Sequence, residues 1–223
     1  MYILYGGPFT RTLINRMLLA EAGIAYELRE ISIAENEHRS EAYLNICPTG
    51  MVPALQTESD GVVFETHAIN QYLIEHHRPS NIVPVAGDKD HGLYLSVMHY
   101  MAGELEPQIK RFFYPHRYSP RDDDNQAIQL QAQSAVSEKL GFLEALCDDS
   151  GPFFLGARLS LIDITFTYWL IVLSPHFDTT GFTRLWACID QVRQRPALRE
   201  IVQACEKQGQ DYASLVRNNA ATG

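Results

Sequence analysis

Apolar and polar positions change their period near residue 79 of this chain. Before it, short apolar runs alternate with amphipathic stretches. Tyr2-Ile3-Leu4-Tyr5 reads as a short strand ended by Gly6-Gly7-Pro8. Leu13, Ile14, Met17 and Leu18 then share one face of a helix that begins near Thr10 or Thr12 and stops at Gly23. Tyr26 and Leu28 alternate with Glu27 and Arg29, the pattern of a half-buried strand, and a polar helix is expected over Glu37–Asn45. Pro53–Thr57 and Val62–Phe64 read as strands joined by a Ser59-Asp60-Gly61 turn. Thr66–His77 reads as a helix with Ile69, Tyr72 and Leu73 inward. The order β-α-β-α-β-β-α makes a complete small α/β layer structure.

A Pro- and Gly-bearing linker, Arg78 to Asp88, follows, and the rest is helical in pattern. Leu93, Val97, Tyr100 and Met101 mark a long helix that Pro107 should kink, while Ile128, Ala135 and Leu143 to Leu146 fall in another. Ser160-Leu161-Ile162-Asp163 is a capping-box variant with Leu159 and Ile164 as its hydrophobic staple, fixing the start of a buried helix through Leu173. The expected organisation is an α/β domain over 1–79, a linker over 80–88 and an all-α domain over 89–223.

Composition narrows the function classes. With 223 residues and 46% hydrophobic content the chain can bury one large core or two modest ones. Its net charge of −9 argues against a nucleic-acid partner, whose phosphates require a basic surface. No apolar run approaches the roughly 18 residues of a membrane span, and no leader pattern is visible at the N-terminus, so a soluble cytoplasmic protein is expected. Cys47, Cys147, Cys188 and Cys205 are far apart in sequence and outside any CxxC spacing, reading as reduced, mostly buried thiols. Adjacent His76 and His77 point about 100° apart on a helix, and no metal-ligand spacing is seen.

The densest chemistry lies between His38 and Tyr72. Val52-Pro53 entering a short apolar run offers an extended backbone edge, and Glu65-Thr66 places a carboxylate and a hydroxyl at the mouth of a helix. Such an N-terminus takes a carboxylate readily. Together these groups suit one small peptide-like molecule.

These residues carry a resemblance. Glu37-His38-Arg39-Ser40, Tyr43-Leu44, and Cys47-Pro48-Thr49-Gly50-Met51-Val52-Pro53-Ala54-Leu55 closely resemble the helix-2 to strand-3 segment of cytosolic glutathione transferases. Phe64-Glu65-Thr66-His67-Ala68-Ile69 resembles the family's acidic-hydroxyl motif, and Phe154-Leu155-Gly156 through Asp163 its capping motif in the second domain. The blocks keep the family's order over essentially the whole chain, with phi-like, tau-like and beta-like features of bacterial members. The resemblance implies a thioredoxin-like domain followed by a helical domain, usually as a homodimer built around the helices starting at Thr66 and near Gly92. It implies glutathione as co-substrate, no metal and a role in detoxification.

It also implies site roles. Val52, before a cis Pro53, would meet the cysteinyl amide of glutathione; Glu65 and Thr66 would hold its γ-glutamyl ammonium and carboxylate; His38 and Arg39 would grip the glycyl carboxylate, as a phi-class basic pair does. Met51 stands where relatives often carry Lys or Gln, and Cys47 where Asn is usual. The thiol must be ionised to react. Relatives place Tyr, Ser or Cys after strand 1, but this loop reads Gly6-Gly7-Pro8-Phe9-Thr10-Arg11-Thr12. Aligned on Pro8 the serine position is Gly7; aligned on Arg16 it is Arg11. Thr10 and Thr12 are the candidate catalytic hydroxyls, Arg11 an electrostatic helper, and Tyr5 strand core. Phe9, Tyr100, Glu104, Phe113, Tyr114 and Tyr118 are candidates for a second-substrate cleft suited to an aromatic or hydrophobic electrophile. The leading expectation is a glutathione transferase. A glutathione-dependent disulfide reductase, isomerase or ether-cleaving enzyme, and a non-catalytic glutathione-binding module, are the alternatives.

Overall fold

The computed structural model of the protein describes residues 1–79 and 81–221. The first residue of the expected linker and the last two of the expected helical domain lie outside that set.

Four strands form one sheet in the order β2-β1-β3-β4. β1 (Tyr2–Gly6) runs parallel to β2 (Tyr26–Glu30) and antiparallel to β3 (Ala54–Gln56), which pairs antiparallel with β4 (Val62–Phe64). Strand alternation sends Leu4 and Leu55 into the main core beneath α1 (Thr12–Glu21) and α3 (Thr66–His77). Their neighbours Tyr5 and Ala54 face the opposite side, with Tyr43, Cys47 and Val52. The Tyr5 hydroxyl donates to Gln56 Oε1 at 2.8 Å, so Tyr5 is indeed strand core.

Leu13, Ile14, Met17 and Leu18 are all buried, and Gly23 ends the helix region at φ 67°. The polar helix expected over 37–45 is instead two pieces, a 3₁₀ turn at Glu37–Arg39 and α2 (Glu41–Leu44). Ser40 separates them in extended conformation and caps the second, accepting from Tyr43 N–H at 3.2 Å. Pro53–Thr57 narrows to the three residues of β3. Tyr72, expected inward, lies on the flank of α3, where its hydroxyl donates to Asp60 Oδ2 at 2.7 Å and its ring stacks on His76.

The second half is helical. α4 (His91–Tyr100) passes through a π turn at Met101–Leu105 into α5 (Glu106–Phe113). Pro107 lacks the N–H for a bond four residues back, and the wider π turn absorbs that loss. Leu93 faces outward rather than into the core. After α6 (Asn125–Leu146) comes α7 (Leu161–Leu173), buried along its entire length, followed by α8 (Thr183–Gln194) and α9 (Arg199–Ala221). α7 packs on α1, α4, α8 and α9, so one apolar rod joins the two halves.

Its start is fixed by the expected capping box. Asp163 Oδ2 accepts from Ser160 N–H and Ser160 Oγ–H, both at 2.8 Å, and Oδ1 from Phe154 N–H at 2.7 Å. Burial pushes the Asp163 carboxyl up to about 6 against these hydrogen bonds. No helix among the described residues is long and apolar enough to cross a membrane.

Candidate functional site

The loop after β1 is shaped by close packing. A Cβ on Gly6 would fall 1.9 Å from Thr12 Oγ1, so only glycine fits over that threonine. Phe9 adopts a left-handed φ of 54°, and its N–H donates to Gln208 Oε1 on α9 at 2.9 Å. Thr12 opens α1 and is 1% exposed, whereas Thr10 is half-buried. Thr10 Oγ1 lies 2.8 Å from both Gly7 O and Thr12 Oγ1. A carbonyl only accepts, so while Thr10 donates to Gly7 O, its bond with Thr12 requires Thr12 to be the donor. Thr12 is thus enclosed behind Thr10, and Thr10 carries the outer hydroxyl.

Arg11, between them, reaches into the helical half. Its Nη1 donates to Glu106 Oε2 at 3.0 Å, and its Nη2 lies 3.9 Å from Glu65 Oε2. Glu106 is buried at the start of α5, where Oε1 also meets His67 Nε2 at 2.9 Å and Trp169 Nε1–H at 3.0 Å. Burial alone would push its carboxyl up, yet His67, Arg11 and Trp169 together hold it below the usual carboxylate range. One carboxylate therefore ties the β1–α1 loop, α3, α5 and α7 together.

The folded Glu106 binds its proton less readily than the unfolded chain, so its stabilising contribution is complete above pH about 4.3 and is lost as pH falls through the folded value. In acid denaturation followed by circular dichroism, wild type should lose stability below pH about 4 more steeply than Glu106→Gln, whose amide does not titrate.

Facing this loop is the backbone edge before β3. Val52-Pro53 is cis, as the resemblance implied, and both residues are buried. Tyr43 donates its hydroxyl to Met51 O at 2.7 Å, pinning the approach to that bond. Beyond β4, Glu65 holds φ 73° and ψ 130°, a conformation costly for a residue with a Cβ, at the N-terminus of α3. Its side chain stays 58% exposed. Glu65 occupies the cap position of α3, and the Thr66 hydroxyl, expected at the helix mouth, is fully buried. Among the described residues Thr66 Oγ1 has no hydrogen-bond partner, while Thr66 O accepts from Asn15 Nδ2 at 3.0 Å. His38 is half-buried with Nδ1 likewise unpartnered. Arg39 is exposed, and its Nη1 would lie 2.8 Å from a Cβ on Gly50.

The six residues proposed for a second-substrate wall are spread over several groups. Tyr100 packs on Phe142 with Lys139 Nζ 5.5 Å from its centroid, and Lys139 pairs with Glu104 at 2.7 Å. Phe113 packs edge-on against Phe112 and His176. Tyr114 and Tyr118 are exposed, under Arg117 and Arg111 respectively. Phe9 sits against α9. Glu106, His67, Trp169 and Gln208 were not assigned from sequence. His67 lies inside the quoted Phe64–Ile69 block, but a lone Glu before Pro107 or a Trp in an apolar helix gives no signal of convergence.

A four-stranded thioredoxin-like sheet joined to a helical domain, with a cis-Pro edge and an acidic residue at the mouth of α3, is the architecture of the glutathione transferase fold. Comparison with known proteins agrees. The family model described as glutathione S-transferase, N-terminal domain, matches residues 1–75, and that described as glutathione S-transferase, C-terminal domain, matches 107–204. Glutathione S-transferase F9 of Arabidopsis thaliana is 33% identical over 208 residues, 89% of this chain and 94% of that protein. The uncharacterized GST-like protein YncG of Escherichia coli is 25% identical, covering 92% and 99% of the two chains. A glutathione transferase homologue from Sulfitobacter, solved with bound glutathione, superposes with a TM-score of 0.81 at 24% identity over 94% of this chain and 98% of its own. The chain belongs to the glutathione S-transferase family.

Proposed function

We propose that the protein binds glutathione between the β1–α1 loop, the Val52 edge and the mouth of α3, and presents its sulfur as thiolate to an electrophile. The observation that carries this reading is Glu65 held at φ 73° beside a buried, unpartnered Thr66 hydroxyl. Glu65 takes the γ-glutamyl ammonium, and the first free N–H groups of α3 take the neighbouring carboxylate. Thr66 Oγ1 adds a hydrogen bond to that carboxylate once the helix mouth opens to it. Val52 pairs with the cysteinyl amide. His38 and Arg39 supply cationic and hydrogen-bonding groups for the glycyl end.

Thr10 is the hydroxyl that donates to the sulfur, releasing Gly7 O to do so, and Thr12 continues to donate to Thr10 from behind. Arg11 contributes positive charge, moderated by its pairing with Glu106. A hydrogen bond to a charged group contributes about 1.5–3 kcal/mol, equivalent to roughly one to two pKa units. Thr10→Ala should therefore raise the apparent thiol pKa in the pH profile of kcat/KM with an aryl-halide electrophile by that amount. Thr10→Ser should restore it. An unchanged profile in Thr10→Ala would remove Thr10 from the role.

The electrophile is aromatic or hydrophobic in this reading, with Phe9, in the β1–α1 loop itself, as its first contact; Phe113, the Arg-covered Tyr114 and Tyr118, and the Tyr100–Glu104 group are separate candidates for the rest of its contacts. Formation of oxidised glutathione instead of a conjugate would move the assignment to a glutathione-dependent reductase using the same site. We place the homodimer contact on α3 and α4; Leu93 and Leu95 of α4 and Phe64, just before α3, are exposed large hydrophobic residues that such a contact would cover. Light scattering during gel filtration measures it directly.

A further inference from the structure

We propose that Cys147 and Cys188 form a dithiol site that hydroperoxides oxidise to an intramolecular disulfide. The sequence holds these residues 41 positions apart, and the fold brings their sulfurs to 3.7 Å. The cause is visible one turn away. Glu144 of α6 caps α8 with its side chain, accepting from Arg184 N–H at 2.8 Å through Oε1 and from Leu185 N–H at 3.0 Å through Oε2. Three residues on from Glu144, at the end of α6, is Cys147; four residues on from Arg184, along α8, is Cys188. Both steps stay on one helix face, so the cap sets the two thiols opposite each other.

Both cysteines line a cleft of about 220 Å³, together with Asp148, Asp149, Gly151 and Arg184. It shares no residue with the glutathione site proposed above. The residues are 3% and 5% exposed yet line the cleft, an arrangement that favours a small oxidant over a bulky one. Arg184 crosses the cleft, donating to Cys147 O at 3.2 Å, with its Nη2 3.5 Å from Asp149.

The hydrogen bond from Cys188, helped by Arg184, lowers the Cys147 thiol against the effect of burial, whereas Cys188 is raised. Cys147 is thus the attacking sulfur and Cys188 the proton-bearing, resolving one. In the first step the Cys147 thiolate attacks one oxygen of hydrogen peroxide; the O–O bond breaks, a sulfenic acid forms, and the departing hydroxide takes a proton to leave as water. In the second, Cys188 loses its proton and attacks the sulfenic sulfur, forming the S–S bond and releasing a second water. Two thiols and one peroxide give one disulfide and two waters, the peroxide being the two-electron oxidant.

The test uses the full-length protein, freed of reductant and treated with hydrogen peroxide, then analysed by intact mass, thiol titration and non-reducing peptide mapping. The expected result is the loss of two hydrogen masses and of half the four free thiols, with a Cys147–Cys188 cross-linked peptide that dithiothreitol reverses. Cys188→Ser should stop at a sulfenic acid on Cys147 that dimedone traps. Cys47 and Cys205, both buried, serve as internal references, Cys205 being pushed up to about 12 chiefly by its burial. Four intact thiols under peroxide that oxidises free glutathione would overturn the proposal. So would a disulfide through Cys47 or Cys205, or over-oxidation of Cys147 without a cross-link. The wild-type measurement stands even where a variant folds poorly.

Discussion

Glutathione should bind Glu65→Gly roughly ten- to a hundredfold more weakly than wild type, about the 1.5–3 kcal/mol of a charge-assisted hydrogen bond, while the fold keeps its stability to within about 1 kcal/mol. The two halves of this expectation have separate causes. The Glu65 side chain is 58% exposed and its only ion pair among the described residues is the 3.9 Å approach of Arg11, so the fold loses little when the carboxylate goes. At φ 73° and ψ 130° a glycine relieves backbone strain of about 1–3 kcal/mol, offset by its larger entropy loss on folding. A residue that strains its backbone to hold a mostly exposed carboxylate at a helix mouth serves a ligand better than it serves the fold. Titration calorimetry with glutathione, alongside urea unfolding, measures both quantities. Unchanged affinity would show that Glu65 does not meet the ammonium.

The largest stability effect is expected at Asp163. Asp163→Ala leaves the N–H groups of Phe154 and Ser160 buried without their acceptor, at about 1–3 kcal/mol each, so a loss of roughly 3–5 kcal/mol is expected. For a chain of this size that lowers Tm by about 10 °C. Ser160→Ala, which removes the cap hydroxyl but leaves the Asp163 carboxylate in place, should cost only about 1 kcal/mol. Thermal melts of the two variants separate the acceptor from the cap. Equal shifts would mean that the two backbone donors find other partners.

Periodicity made most of the architecture legible, because amphipathic spacing and turn residues are local signals. Leu13 to Leu18, Thr66–His77 and the Ser160–Asp163 box fall where their patterns place them. Local pattern failed where tertiary context decides. Ser40 can continue a helix or cap a new one, and here it caps. A proline predicts a disturbed helix, but not that a π turn will carry it, as Met101–Leu105 does ahead of Pro107. Leu93 and Tyr72 carry apolar bulk at helical spacing yet lie toward the outside.

The site divides along the same line. Val52-Pro53 and Glu65-Thr66 are contiguous motifs and could be read directly. Glu106 meets Arg11 across 95 positions, His67 across 39 and Trp169 across 63, so nothing local announces the cluster. The Cys147–Cys188 pair is hidden for the same reason, since its register is set by Glu144 capping a helix that begins 39 residues later. Thr10 and Thr12 are both candidates in the sequence; the burial of Thr12 and the close approach of Gly6 show that it is enclosed.

The central claim is that this loop holds glutathione as thiolate through Thr10. The most direct test is the ultraviolet thiolate difference spectrum as glutathione is titrated into wild type, Thr10→Ala and Thr12→Ala near neutral pH, with calorimetry reporting occupancy. A thiolate signal that saturates with binding in wild type, collapses in Thr10→Ala and falls only partly in Thr12→Ala is the predicted result. Full occupancy without a thiolate signal in wild type would contradict it.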